Sequence, residues 1–117
     1  MIMFELLILL QIKHWFIDFY NQTNDEVKAK GEYGNLLGIW HSGKHAILTG
    51  IIFILVDLEL AVAVCTMDFL LHYHIDWIKM NYGNRDINDK RFWMHLGLDQ
   101  FAHQICYIFY VYLGGLL

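Results

Sequence analysis

The sequence has few charged residues and no proline. Only 17% of its 117 residues are charged, whereas 57% are hydrophobic. A soluble domain usually carries about 25% charged residues, so this chain has too few of them to cover a water-facing surface of its size. Intrinsic disorder is excluded as well, because disordered chains combine low hydrophobicity with high charge.

Basic residues and cysteines are also scarce. Eight lysines and arginines stand against 12 acidic residues and form no basic run, so we do not expect a nucleic-acid partner. Two cysteines cannot cross-link a secreted miniprotein, and Cys65 and Cys106 lack the CxxC spacing of a structural zinc site. The class that remains is a small helical membrane protein of one domain, residues 1–117.

Four apolar stretches of about 20 residues are separated by polar segments. With a rise of 1.5 Å per residue, about 20 residues cross the hydrocarbon core of a bilayer, which is about 30 Å thick. The fold class that we predict is therefore all-α, a membrane-embedded up-down four-helix bundle. An alternative is a soluble bundle with buried helices, because polar residues interrupt every stretch. The predicted spans are approximately 1–20, 36–56, 60–78 and 92–117.

The positions of the basic residues predict an orientation. The segments 21–35 and 79–91 contain six lysines and arginines, whereas the N-terminus, the turn 57–59 and the C-terminus contain none. We expect the protein to lie in the cytoplasmic (inner) membrane. By the positive-inside rule, both long loops face the cytoplasm and both termini lie on the outer side of that membrane. Lys13 and Lys44 fall within spans and are expected to snorkel to the interface. Membrane lipids are the expected partners, and a homo-oligomer is left open.

Histidines and aspartates recur at four-residue spacing in each stretch, which places them on one helix face. Because the spans alternate in direction, the four polar faces should meet at one level, in the cytoplasmic half of the bundle. Asp68, His72, Asp99 and His103 are the leading candidates for direct metal ligands. The full predicted ligand set is His14, Asp18, His41, His45, Asp68, His72, Asp76, Asp99 and His103. The residues expected to support these ligands are Gln22, His74, His95 and Gln100.

This donor set suits a divalent metal. Histidine nitrogens and carboxylate oxygens are ligands for zinc, manganese and iron, and intramembrane carboxylates usually mark a functional site. Two divalent cations would cancel the charge of four aspartates, and nine donors suit two ions, or one ion with supporting residues around it. The alternatives are polar packing between helices, a proton or ion pathway, and haem held by two histidines.

Several sequence pieces resemble one family. They are HWFIDFYNQ (14–22), KGEYGNLLGIWHSGKH (30–45), DFLLHYHIDWIK (68–79) and DQFAH (99–103). In this order they resemble the domain-of-unknown-function 3307 family, small integral membrane proteins found in bacteria and many phages. The resemblance implies a multi-span membrane protein, of bacterial or phage origin, with these histidines and aspartates as the family pattern. It supplies no activity, although a more distant similarity points to membrane proteins labelled metal-dependent hydrolases.

Two functions remain open at this point. No Ser-His-Asp or Cys-His arrangement and no glycine-rich phosphate loop is present, so any catalysis would depend on a metal-activated water, with one aspartate as the general base. A lipid-linked or phosphate-bearing substrate would fit the expected location. The competing expectation is a non-enzymatic membrane protein that modifies the envelope or binds partners, with the polar residues serving helix packing or proton or ion conduction.

Overall fold

The computed structural model describes residues 2–117, and within them the chain is helical without any strand. The predicted all-α class is therefore confirmed. The first predicted span begins at Met1, which lies outside the described residues. The elements are α1 (Ile2–Trp15), which continues as a π-helical segment (Phe16–Asn21), then α2 (Asn24–Lys30), α3 (Leu36–Phe53), α4 (Leu58–Tyr82) and α5 (Lys90–Gly115).

The four long helices pack in a closed ring. Helix α3 lies against α1 and α4, and α5 lies against the same two helices. One end of the ring, where α1 and α4 begin and α3 and α5 end, is filled by a hydrophobic core. This core consists of Leu6, Leu10, Phe53, Ala61, Val64, Tyr107, Tyr110 and Val111. The predicted metal ligands lie in the other half of the interior, so the ring has an apolar half and a mainly polar half.

Short polar side chains fix where the long helices begin. The Asn35 side chain accepts a hydrogen bond from the backbone N–H of Leu37, and Asp57 accepts one from Leu60. Asp89 caps α5 by accepting from the backbone N–H of Arg91 at 2.9 Å. The guanidinium of Arg91 also donates to this carboxylate, and together these hydrogen bonds lower the pKa of Asp89 to about 2. Such caps satisfy backbone donors that have no partner within the helix.

The expectation that residues 21–35 form only a loop is wrong. Helix α2 lies within this segment, where the Thr23 hydroxyl caps it by accepting from the backbone N–H of Glu26. One face of α2 packs against α3 and α4 and buries Glu26, Ala29 and Lys30. The segment was taken for a loop because two turns are too short to show a hydrophobic period. Its Thr-x-x-Glu pattern is nevertheless that of a helix start.

The interior is unusually polar and the exterior unusually apolar. Buried residues comprise 13 polar or charged side chains and 13 hydrophobic ones. Large apolar side chains are exposed on all four long helices, for example Phe4, Ile51, Val62 and Leu98. Soluble monomers rarely expose extensive apolar surface.

Among the described helices, only α4 is both long and apolar enough to cross a membrane, and a single such helix is weak evidence. Four membrane spans are therefore not confirmed. The continuous α-helix of α1 ends after 14 residues, where the π-helical segment begins. In α3 and α5, the polar residues that face the interior lower the mean hydropathy. The four-span arrangement thus stays a prediction.

Candidate metal centre

The nine predicted ligands meet in one connected group in the polar half, which we call the polar cluster. Each lies within 3.5 Å of another member, except Asp68, which joins the cluster through Lys13. Eight of them are buried, and the side chain of the ninth, Asp18, is only 8% exposed. The members are His14, Asp18, His41, His45, Asp68, His72, Asp76, Asp99 and His103.

His41 lies at the centre of the polar cluster. Its Nδ1 donates a hydrogen bond to Glu26 at 3.1 Å, so the neutral ring carries a lone pair on Nε2. That Nε2 lies 3.1 Å from Asp18 Oδ1 and 3.5 Å from Asp76 Oδ2 but forms a hydrogen bond with neither. On a neutral ring, this nitrogen lone pair faces two carboxylates, which is unfavourable unless a cation lies between them or Nε2 takes up a proton.

His72 is packed between two other imidazoles. Its ring stacks on His45 with a centroid separation of 3.7 Å and on His103 with a separation of 4.0 Å. Its Nε2 lies 3.3 Å from Asp76 Oδ2, and neither of its nitrogens has a hydrogen-bond partner among the described residues. The stack holds the His72 ring in place while leaving its nitrogen atoms available.

Five buried side-chain atoms of the polar cluster have no hydrogen-bond partner within residues 2–117. Buried polar groups are almost always hydrogen-bonded, because an unpaired one costs about 1–3 kcal/mol. Each of these five atoms is of a type that can present a lone pair to a cation. They are His41 Nε2, His72 Nδ1 and Nε2, Asp76 Oδ2 and Asp99 Oδ1.

Two overlapping sets of side chains bring ligand atoms close enough for one ion, each set with its atoms within 4.8 Å of one another. The first set is Asp18, His41, His45 and His72, and the second is His72, Asp76 and His103. The sets share His72. In the first set, His45 Nε2 donates to Asp18 at 2.7 Å, and in the second, His103 Nε2 donates to Asp76 at 3.1 Å. Binding through either nitrogen would replace that hydrogen bond.

Lys13 organises the other side of the polar cluster. Its buried ammonium donates to His45 Nδ1, Asp68 Oδ2 and the Tyr107 hydroxyl at 3.0–3.3 Å, which uses all three of its protons. Tyr107 in turn donates to His14 Nδ1 at 2.8 Å. The expectation that Lys13 snorkels out of the bundle is therefore wrong, because Asp68 holds it inside.

Lysines neutralise most of the buried carboxylates. Lys13 pairs with Asp68, Lys30 with Asp76, Lys44 with Glu26, and Lys79 with Asp99, over 3.0–3.7 Å. Among the buried carboxylates of residues 2–117, only Asp18 has histidines alone as partners: His14, His41 and His45. The sequence argument counted four aspartate charges that two divalent ions would cancel, whereas lysines already supply most of that positive charge.

The leading candidates differ in how free their ligand atoms are. Asp68 accepts hydrogen bonds from Lys13, Thr49 and Tyr110, the shortest at 2.6 Å from Thr49, so its oxygens are occupied. Asp99 has one occupied oxygen, which accepts from Gln100, and one without a partner. Within the described residues, both nitrogens of His72 are without a hydrogen-bond partner, whereas His103 Nε2 donates to Asp76. Among the other predicted ligands, both nitrogens of His14 are engaged, with Tyr107 and Gln100.

The four supporting residues divide into two groups. Gln100 accepts from His14 Nε2 at 2.7 Å, and Gln22 donates to the backbone oxygen of Asp18 and accepts from Lys30. His95 accepts from the backbone N–H of Asn84, away from the metal-ligand sets. His74 is exposed and bonds Tyr33 and its own helix.

The π-helical segment places Asp18 in the polar cluster. Such segments are rare and occur mostly at functional sites. His14, the penultimate residue of α1, lies 3.3 Å from Asp18 Oδ2, so the four-residue spacing still brings the two side chains together after the change in helix type.

Sequence reasoning missed the buried partners of the ligands. Glu26, Lys30 and Thr49 are buried and contact cluster members directly, as do the hydroxyls of Tyr107 and Tyr110. Thr49 lies four residues beyond His45 and thus continues the polar face of α3. Tyr107 follows His103 at the same interval. These spacings could have predicted both residues.

The fold and the polar cluster together define an all-α protein with histidines and carboxylates gathered in its interior. The chain belongs to the family described as "Protein of unknown function (DUF3307)", whose model matches residues 6–115. This confirms the resemblance found in the sequence, and the match includes every member of the polar cluster. Neither a curated protein nor a solved structure matches the chain. Membrane location and bacterial or phage origin stay predictions.

Proposed function

We propose that this protein is a membrane protein that binds one divalent metal ion, zinc, manganese or iron, in the polar half of its helix ring. His41, His72 and Asp76 would hold the ion, and Asp18, which lies 3.1 Å from His41 Nε2, would lie next to it. The observation that carries the proposal is the group of unpartnered ligand atoms on His41, His72 and Asp76 around one point of the interior. A cation would satisfy them together, whereas no side chain within hydrogen-bonding distance does.

The distances fit such an ion. Ligands bound to a tetrahedral zinc ion at about 2.0–2.1 Å lie about 3.3 Å from one another. His41 Nε2 lies 3.1 Å from Asp18 and 3.5 Å from Asp76, and His72 Nε2 lies 3.3 Å from Asp76. The hydrogen bond from His41 Nδ1 to Glu26 is also the kind that orients a metal-binding histidine.

The charge balance favours one ion over two. Four lysines pair with four of the five buried carboxylates, and Asp18 is left over. A single divalent ion next to Asp18 compensates that charge. A second ion at Asp68 would have to displace the ammonium of Lys13, which already occupies the position.

The membrane part of the proposal rests on the distribution of polarity. A polar interior within an apolar exterior suits a lipid environment, where intramembrane charges face the bundle interior and pair with one another. With Lys30 and Lys79 paired to buried aspartates, the basic residues left at the polar end are Lys28, Arg85, Lys90 and Arg91. These four still favour a cytoplasmic polar end and outer termini.

Hydrolysis is the reaction class that this site would support. A divalent ion held there would supply Lewis-acid polarisation of a carbonyl or phosphoryl oxygen. Asp99 is suited to the role of general base, because its Oδ1 has no hydrogen-bond partner within the described residues. The N–H of His103 Nε2, which donates to Asp76 and lies 3.5 Å from Asp99 Oδ1, would keep the Asp99 carboxylate in place.

The competing proposal is a polar core that serves helix packing alone. Packing alone favours a network in which every buried polar atom is satisfied, as around Lys13 and Asp68. The unpartnered atoms of His41, His72 and Asp76 do not follow that pattern. Proton conduction is disfavoured by Gln100, since a side-chain amide interrupts the hydrogen-bonded chain from Lys13 through His14 to Asp99.

Elemental analysis of protein purified without chelator tests the metal proposal. We expect about one zinc, manganese or iron ion per chain, and much less in Asp76→Asn and His41→Ala. His74→Ala is the matched control, because His74 is exposed and bonds only Tyr33 and its own helix. Metal-free wild-type protein that stays without metal after incubation with all three ions would overturn the proposal.

Cysteine labelling in intact cells tests the membrane arrangement. Cys65 and Cys106 are first replaced by serine, and single cysteines are then placed at the exposed residues Asn24 and Asn88. Both should react only after the cells are permeabilised. Labelling from outside would contradict the orientation, and recovery of the chain without membranes would contradict the location.

A further inference from the structure

A groove between α4 and α5 opens beside the polar cluster. It has a volume of about 290 Å³, close to the lower end of the range of about 300–1,000 Å³ for small-molecule sites. Most of its surface is apolar, contributed by Ile75, Ile78, Leu98 and Ala102. Polar side chains also line it, among them Lys79, His95 and Asp99.

The polar side chains of the groove include two available hydrogen-bond donors. Lys79 is 24% exposed, and its ammonium lies 3.7 Å from Asp99, beyond hydrogen-bonding distance. Within the described residues its three protons are therefore uncommitted. His95 accepts at Nδ1 from the backbone N–H of Asn84 at 2.7 Å, so the neutral ring carries its hydrogen on Nε2. Both groups can donate to an anion.

The inner wall of the groove belongs to the polar cluster. Asp99 has a side chain that is 2% exposed, and its Oδ1 has no hydrogen-bond partner. The same oxygen lies 3.5 Å from His103. A molecule in the groove could therefore reach the buried acceptor of Asp99 with a donor such as a hydroxyl. The polar end of such a molecule would then lie next to the polar cluster.

We propose that this groove binds an amphiphile with a phosphate head and an alkyl chain. The phosphate accepts hydrogen bonds from Lys79 and His95, and the chain lies on Ile75, Ile78 and Leu98. Ile78 and Leu98 are 54% and 62% exposed, so a bound alkyl chain that covers them removes apolar surface from solvent. In a bilayer, this apolar surface would be continuous with the surrounding lipid. That such a molecule is a substrate rests on the proposed metal function, whereas its binding to the groove does not.

Calorimetric titration of the full chain in dodecyl maltoside, with empty micelles subtracted, tests the proposal. The probe is dihexanoyl-phosphatidic acid, and dihexanoylglycerol and inorganic phosphate test the chain and the head separately. We expect the first to bind and the other two to bind at least about tenfold more weakly, since a hydrogen bond to a charged group contributes about 1.5–3 kcal/mol. If dihexanoylglycerol binds as tightly as dihexanoyl-phosphatidic acid, the proposal that the groove recognises an anionic head is wrong.

Variants locate the binding. Lys79→Gln should weaken it about tenfold or more, and Lys79→Arg should retain it, because the positive charge is kept. Ala102→Phe should weaken binding by filling the groove. The matched controls are Lys28→Gln and Ile105→Phe, which alter exposed residues outside the groove and should change affinity by no more than about twofold. If Ala102→Phe fails to fold, the two Lys79 variants decide.

Equal binding by the wild type and both Lys79 variants would overturn the proposal, and so would the absence of binding. Metal content measured in the same preparations separates this proposal from the metal centre. Binding of phosphatidic acid by metal-free protein would support the groove and leave the metal proposal unsupported. Bound metal without binding of phosphatidic acid would support the metal proposal and overturn the groove proposal.

Discussion

Glu26 accepts a hydrogen bond from His41 Nδ1 over 3.1 Å and thereby ties helix α2 to the centre of the polar cluster. The other nitrogen of His41 faces Asp18 and Asp76 without a hydrogen bond. A carboxylate behind a histidine fixes the ring and makes its free nitrogen a better metal ligand. Lys44 holds the carboxylate of Glu26 from the opposite side, with both contacts at 3.0 Å.

Glu26→Gln should weaken metal binding without unfolding the protein. The glutamine oxygen can still accept from His41, but the negative charge next to the nitrogen that we propose as a metal ligand is lost. We expect the affinity for zinc to fall by about 10-fold to 100-fold, measured by competition with a chromogenic chelator. Asp25→Asn is the matched control, since Asp25 is exposed on the same helix. Equal affinities in the two variants would contradict the role of Glu26.

Gly38 allows α2 to approach α3, and Gly43 has no such role. A Cβ on Gly38 would lie 2.8 Å from the backbone oxygen of Ala29, so Gly38→Ala must push α2 outward and Glu26 with it. We expect a loss of about 1–3 kcal/mol in the free energy of unfolding, together with weaker metal binding.

Gly43→Ala provides the comparison on the same helix. Within the part of the chain that the structure describes, no atom lies within 4 Å of a Cβ at this position, and alanine is favoured over glycine in a helix by about 0.5–1 kcal/mol. Thermal melting followed by circular dichroism should therefore show opposite shifts for the two variants. A shift in the same direction would contradict the close contact between α2 and α3.

Lys13→Met should be strongly destabilising, because it leaves the buried carboxylate of Asp68 without its cation. Removing one partner of a buried ion pair costs about 3–5 kcal/mol. The double variant Lys13→Met/Asp68→Asn should recover part of that loss, which equilibrium unfolding in mixed micelles would measure. Lys28→Met, at an exposed lysine, should change stability by no more than about 0.5 kcal/mol. If the double variant loses as much free energy of unfolding as Lys13→Met and Asp68→Asn lose together when each is measured alone, the pair does not interact.

Periodicity predicted the polar cluster well. Residues four apart on a helix lie on the same face, so His41 and His45, or Asp99 and His103, share a face whatever surrounds the helices. The alternation of four long helices then brings these faces to one level. For that reason the sequence alone was enough to predict which nine side chains meet.

The partners of these side chains could not be predicted in the same way. Lys30 was assigned to a basic loop and Lys13 to the interface, yet both are buried against aspartates. A buried lysine depends on a carboxylate from another helix, and such a pair has no spacing within one segment. Which donors stay free for a metal depends on these long-range pairs, so Asp68 could not be distinguished from Asp76 by sequence.

Removal of metal should destabilise the folded protein. An ion that binds only the folded state stabilises it by about 4 kcal/mol when its concentration is a thousand times its dissociation constant. Chelator should therefore lower the melting temperature of the wild type in detergent, and excess zinc, manganese or iron should restore it. Asp76→Asn, which lacks a charged ligand, should melt at the same temperature with and without chelator.

Lowering the pH should reduce the difference between the melting temperatures of the wild type measured with and without chelator. Protons compete with the metal for histidine nitrogens and carboxylate oxygens, so metal affinity falls as the pH is lowered towards about 5. His74→Ala should keep the response of the wild type to chelator and to pH, because this side chain is exposed and lies outside the polar cluster. If the wild-type curves coincide with and without chelator across this pH range, the polar cluster holds protons and hydrogen bonds instead of a cation. The unpartnered nitrogens of His41 and His72 would then have to be protonated or hydrated.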